Sequence, residues 1–68
     1  MNNVMYLTDD SGNIVFEHRR NDDGNVSVRA MCGDLVTSWK ILADKDLQEA
    51  RKELKNVLYE MMFKASFA

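Results

Sequence analysis

The chain contains no proline, one cysteine, one histidine and three glycines among its 68 residues. A single cysteine excludes an internal disulfide, and no Cys/His pairs stand at the spacing of a structural metal site. There is no low-complexity tract, and every apolar run is far too short to cross a bilayer. The N-terminus lacks the basic-then-apolar order of a signal peptide, so a reduced, cytosolic setting is the simplest expectation. The net charge of −2 offers no global attraction to nucleic acid. Any such binding needs a local basic patch.

A chain of this length forms one domain and buries only about 60% of its unfolded surface, so its core is thin. Small domains without disulfide or metal staples often gain stability by self-association, which predicts an oligomer.

What is present is a turn used twice. Asp9–Asn13 reads DDSGN and Asn21–Asn25 reads NDDGN, each flanked by strand-forming residues. Each fits a three-residue hairpin loop, Asp10-Ser11-Gly12 and Asp22-Asp23-Gly24, with glycine in the left-handed position. Aspartate suits such loops because its carboxylate bonds nearby amides. Gly33-Asp34 fits a two-residue hairpin with glycine first.

These loops predict a register. Thr8 faces Ile14, Tyr6 faces Phe16 and Val4 faces His18 in the first hairpin. Phe16 faces Ala30, Glu17 faces Arg29 and His18 faces Val28 in the second. The last turn pairs Cys32 with Leu35 and Val28 with Trp39. Alternation then assigns Val4, Tyr6, Ile14, Phe16, Val26, Val28, Ala30, Cys32, Leu35, Trp39 and Ile41 to a core face. Met5, Leu7, Val15, Glu17, Arg19, Ser27, Arg29, Met31, Val36, Ser38 and Lys40 fall on an open face.

The remainder reads as a helix capped by Asp44 or Asp46, with Glu49 completing a capping box from Asp46. Leu47, Ala50, Leu54, Val57, Leu58, Met61 and Ala65 recur at helical spacing and form its core stripe. A second reading starts the helix at Asp34, since Leu35, Val36, Trp39, Leu42 and Ala43 also fit a helical period. The β-branched and aromatic residues of that stretch favour a strand. The expected fold is α+β: a four-stranded antiparallel meander followed by one helix packed on one face. Tyr59, Phe63 and Phe67 make a second helix stripe away from the core, expected to pair with a second copy of the chain.

The stretches DDSGNIVFEHR (Asp9–Arg19) and WKILADKDLQEARKEL (Trp39–Leu54) resemble the positive cofactor four family of transcriptional coactivators. These are small dimeric single-stranded-DNA-binding domains with bacterial and phage relatives. The first stretch is similar to the family's opening hairpin through Asp9, Gly12, the apolar run Ile14–Phe16, Glu17 and Arg19. The second is similar to its last strand running through a cap into the helix. Asn13 stands where the family has lysine, and Trp39-Lys40 where it has Lys-Gly. The resemblance implies that helices join two subunits and that the open sheet faces form a groove for a single strand.

Binding of a single strand without sequence preference needs cations along the phosphates and flat groups under the bases. The candidates are Arg19, Arg29 and Lys40, with Arg20 at the hairpin edge and Trp39 if strand four carries a bulge. Without a bulge Trp39 belongs to the core. Arg29 opposite Glu17 is explained equally by a surface ion pair, whereas Arg19 has no partner in this register. Met5, Leu7, Val15, Met31 and Val36 cluster at one end of the open face and suit a protein partner as well as unstacked bases. Enzyme chemistry is not expected: His18 reads as a packed or edge histidine and Cys32 as a small buried hydrophobe. No phosphate loop or nucleophile constellation is present, and no cofactor is implied. The expected function is single-stranded-DNA binding in transcription, replication or recombination. The alternative is a small protein-binding module or inhibitor acting through the apolar open face or the helix stripe.

Overall fold

The computed structural model describes residues 3–66. Phe67, expected at the helix contact, lies outside them. The elements are β1 (Val4–Thr8), β2 (Val15–Arg20), β3 (Val26–Cys32), β4 (Leu35–Val36), β5 (Lys40–Leu42), a short 3-10 turn at Asp44–Asp46, and α1 (Leu47–Ala65). All strand pairs are antiparallel, in the order β1-β2-β3-β4. β5 also pairs with β3, so β4 and β5 together form a fourth strand interrupted by a bulge. The fold is therefore the expected α+β meander with one helix on one face.

The second hairpin has the predicted register: Phe16 faces Ala30, Glu17 faces Arg29 and His18 faces Val28. Its loop closes through Asn21 N–H to Asn25 O at 2.8 Å and Gly24 N–H to Asn21 O at 3.1 Å. Gly24 sits at φ 89°, where a side chain is strained. Cys32 faces Leu35 across the Gly33-Asp34 turn, also as predicted.

The first hairpin departs by one residue. Tyr6 pairs with Glu17, Leu7 with Phe16 and Met5 with His18. The loop spans Asp10–Asn13, because Asp9 N–H donates to Ile14 O. Ile14 N–H in turn donates to Asp9 Oδ1 at 3.1 Å, while Asp9 O is taken by Gly12 N–H. The aspartate side chain thus stands in for a ladder carbonyl and lengthens the loop by one. A one-residue slip exchanges the two faces of a strand. Met5 and Leu7 therefore lie on the helix side, and Val4 and Tyr6 on the open side.

A second departure lies in strand four. Met31 pairs with Val36, yet Val28 pairs with Lys40, where an unbroken ladder would place Trp39. The extra residue is a bulge held by buried Thr37. Its N–H donates to Ala30 O, and its hydroxyl oxygen accepts from Ala30 N–H at 3.0 Å. Beyond the bulge the faces exchange. Trp39 and Ile41 leave the core face, and Lys40 moves to the helix side, where it pairs with Glu53.

The core lies between β2, β3 and α1. Ile14, Phe16, Val28, Ala30, Ala50, Leu54 and Leu58 are buried in one cluster, with Cys32, Leu35, Leu42, Leu47, Met61 and Met62 packed around it. Ala50, Leu54 and Leu58 recur every four residues along the helix face turned to the sheet. Val57 and Ala65, expected in that stripe, are exposed: Val57 stands at its edge, and Ala65 is in line with it but at the last residue of α1. Asp46 precedes α1 without a side-chain cap bond, so the expected capping box does not form. Glu49 in the first turn and Lys64 in the last complement the helix dipole.

Candidate nucleic-acid interface

On the open face, β2 and β3 bring Glu17, Arg19 and Arg29 together. Arg29 Nε donates to Glu17 Oε1 at 2.8 Å. Arg19 Nε and Nη2 donate to Glu17 Oε2 at 3.2 and 3.1 Å. Arg19 thus has a partner, contrary to the sequence expectation. The pair with Arg29 is no plain surface ion pair either, because the Glu17 side chain is buried. Desolvation pushes the Glu17 carboxyl up, but hydrogen bonds and charge from Arg29 and then Arg19 outweigh it. The carboxyl is held below its ordinary value of 4.5.

The bulge delivers Trp39 onto this cluster. The Arg29 guanidinium carbon lies 4.4 Å from the centroid of the Trp39 rings and that of Arg19 5.3 Å. Both are within cation–π range. The indole closes over the ion pairs and remains 37% exposed. Two guanidiniums share one carboxylate, so the cluster keeps one uncompensated positive charge.

The slip of β1 adds a group that sequence reasoning had placed in the core. Tyr6 pairs with Glu17 on the open face and is 60% exposed. Tyr6, from β1, and Trp39, from strand four, therefore border the arginine cluster at opposite flanks of the same open face. The register also sets out an apolar row, Val15, Met31 and Val36, along one flank, with Thr8 at its end. Ile41 stands exposed on the other. The predicted apolar cluster accordingly loses Met5 and Leu7 but keeps Val15, Met31 and Val36.

Two proposed contacts fall elsewhere. Lys40 is on the helix side with Glu53. Arg20 shares the helix-side face with Phe16 and His18, and borders a cavity of about 270 Å³ with Asn3, Met5, His18 and Leu47. The alternation of β2 and β3 located Arg19 and Arg29. The signal for Tyr6 was Asp9 itself, a residue able to cap a longer loop.

On the helix side, His18 is buried between sheet and helix. Its Nδ1–H donates to Met5 O at 3.3 Å, and Nε2 accepts from Arg51 Nη1 at 3.2 Å. This is the neutral tautomer. Burial first, and the Arg51 charge with it, hold its pKa below the ordinary 6.5 against the bond to Met5. Asp9 meets Lys55 at 3.1 Å. Partial desolvation pushes the Asp9 carboxyl up, but bonds from Ser11, Ile14 N–H and Lys55 bring it down to about 2. Tyr59 and Phe63 lie on the outer side of α1, and Phe63 is 66% exposed.

Among the described residues, no group of three or more His, Cys, Asp or Glu side chains is placed to hold a metal ion. No helix among the described residues is long and apolar enough to cross a membrane. Comparison of the chain with protein-family models, curated proteins and solved structures finds no match in any of the three.

Proposed function

We propose that the open sheet face binds single-stranded DNA with little sequence preference, serving transcription, replication or recombination, and that the chain acts as a binding protein rather than an enzyme. The observation that carries this reading is Trp39 lying over Arg29 and Arg19, with Tyr6 exposed across the same face. Sequence-tolerant single-strand binders combine these two elements, cations for the phosphates and π-faces for the bases. The resemblance to the positive cofactor four family supports the same reading. Pairing of two copies through Tyr59 and Phe63 belongs with it and would double the binding surface for one strand long enough to reach both.

The test is fluorescence anisotropy of labelled oligothymidine at increasing salt. Affinity is expected to fall as salt rises, because phosphate contacts release counterions. Absence of binding at the lowest salt sinks the proposal.

A second reading is supported by Glu17, which occupies both arginines, and by exposed Val36 and Ile41 beside them. Such a face suits a protein partner. In that case Arg19→Ala leaves nucleic-acid affinity unchanged, and Met31→Ala abolishes capture of the partner.

A further inference from the structure

Among the described residues β1 is an edge strand, hydrogen-bonded only to β2. Its sequence, VMYLT, has none of the usual protections of an edge: no charge, no proline and no bulge. The phase of its hydrogen bonds is set at both ends. Arg20 N–H donates to Asn3 O, and Asp9 N–H donates to Ile14 O. Odd-numbered residues therefore bond inward to β2. Val4, Tyr6 and Thr8 turn their N–H and C=O groups outward, away from the sheet. The helix does not cover this strand: Met5 is 50% exposed and Leu7 39%.

We propose that this edge pairs with the same edge of a second copy, antiparallel about a two-fold axis at Tyr6. In that register Val4 bonds to Thr8 of the other chain and Tyr6 to its counterpart, so every outward backbone group finds a partner. Met5 then stands opposite Leu7 on the helix side, covering the two exposed apolar side chains. The contact is isologous and closes at two chains, joining the sheets into one. A strand from an acidic partner is less well matched. The groove beside β1, about 330 Å³, carries both signs of charge, with Asp9 and Asp10 facing Arg51, Lys52 and Lys55. Lys55 is already paired with Asp9, and Arg51 is bonded to His18. The uncharged strand complements itself without a like-charge clash. The proposal is independent of any nucleic acid on the open face and distinct from contact through Tyr59 and Phe63.

The register can be read directly. In a Cys32→Ala background, Met5→Cys and Leu7→Cys proteins are purified separately, mixed and oxidised. Opposed residues of a non-hydrogen-bonded pair lie about 4.5 Å apart at Cα, within disulfide reach. The mixture is expected to give a disulfide-linked pair containing one of each, and either variant alone far less. Equal linkage by each variant alone, or none in the mixture, overturns the register. Sedimentation velocity over a dilution series supplies the second readout, with thermal melting to confirm folding. Tyr6→Lys, at an exposed position whose backbone bonds face outward, is expected to weaken association by about tenfold or more, since two like charges then meet on the axis. Association lost in Phe63→Glu but unchanged in Tyr6→Lys overturns edge pairing. A wild-type protein that stays single at every concentration does the same, and leaves the edge to a foreign strand.

Discussion

Glu17 and Arg29 face each other across β2 and β3, and Arg29 Nε donates to Glu17 Oε1 over 2.8 Å beneath the Trp39 ring. The carboxylate is an internal counterion: it orders two guanidiniums and competes with any phosphate for them. Charge-assisted bonds of this kind are the strong ones, so the arrangement holds the cations in place at some cost to their availability.

Replacing Glu17 by Gln separates these two roles. Stability is expected to fall by about 1–3 kcal/mol, because two guanidiniums lose their charged acceptor. If DNA binds this face, affinity for oligothymidine is expected to rise, with a salt slope steeper by about 0.7 for each further phosphate neutralised. Urea denaturation and salt-dependent anisotropy measure the two effects. An unchanged or weaker affinity in a folded Glu17→Gln protein counts against the DNA reading.

Trp39→Ala removes the ring over the arginines without opening the core. Loss of base stacking at such a platform costs about 1–3 kcal/mol of binding. Single-strand affinity is expected to drop by about fivefold to a hundredfold, with only a small change in melting temperature. Tyr6→Ala is expected to act in the same direction. Quenching of tryptophan fluorescence on titration with oligothymidine is the matching signal in the wild type.

Acid is expected to weaken the fold in two stages. His18 is buried neutral, and its folded pKa lies below the 6.5 of the free side chain. Its contribution is complete above pH 6.5 and declines as pH falls toward the folded value, because the unfolded chain takes up the proton first. Asp9 and Glu17 follow. Asp9 is lowered from 3.8 to about 2, so its contribution persists above pH 3.8 and is lost as pH falls to 2. Urea midpoints measured at pH about 7.5 and about 5.5 should differ in the wild type and converge in His18→Gln, since only a titrating imidazole makes this step.

Leu58→Ala is expected to destabilise the protein by about 2–5 kcal/mol, the usual cost of a buried leucine truncated to leave a cavity. Leu58 is fully buried against β3, whereas Val57, its neighbour in sequence, is exposed. Val57→Ala is expected to change stability by less than about 0.5 kcal/mol. Comparable losses at both positions would show that the helix packs by a different face.

The difference between the two repeated turns marks how far sequence reasoning reached. DDSGN and NDDGN invite the same loop, and the second takes it. In the first, Asp9 accepts the N–H of Ile14 through its side chain and is gripped by Lys55 from α1, so the loop is one residue longer. The slip carries Tyr6 to the open face and uncovers Met5 and Leu7 on the other. Trp39 was legible only as an alternative, conditional on a bulge that Thr37 makes by bonding both backbone groups of Ala30. Arg19 and Arg29 were legible because alternation along β2 and β3 is unbroken.

Local chemistry in the chain was enough to determine the meander, the glycine turns at Gly24 and Gly33, the opposed sides of Phe16 and Arg19, and the helix stripe through Ala50, Leu54 and Leu58. These depend on short-range sterics and on periodicity, which neighbouring residues decide among themselves. The tertiary structure alone decided the register of β1, the bulge before Trp39 and the capture of both arginines by Glu17. Each of these is a competition for hydrogen-bond donors, won by groups that the folded chain brings together or by a side chain that displaces a backbone carbonyl.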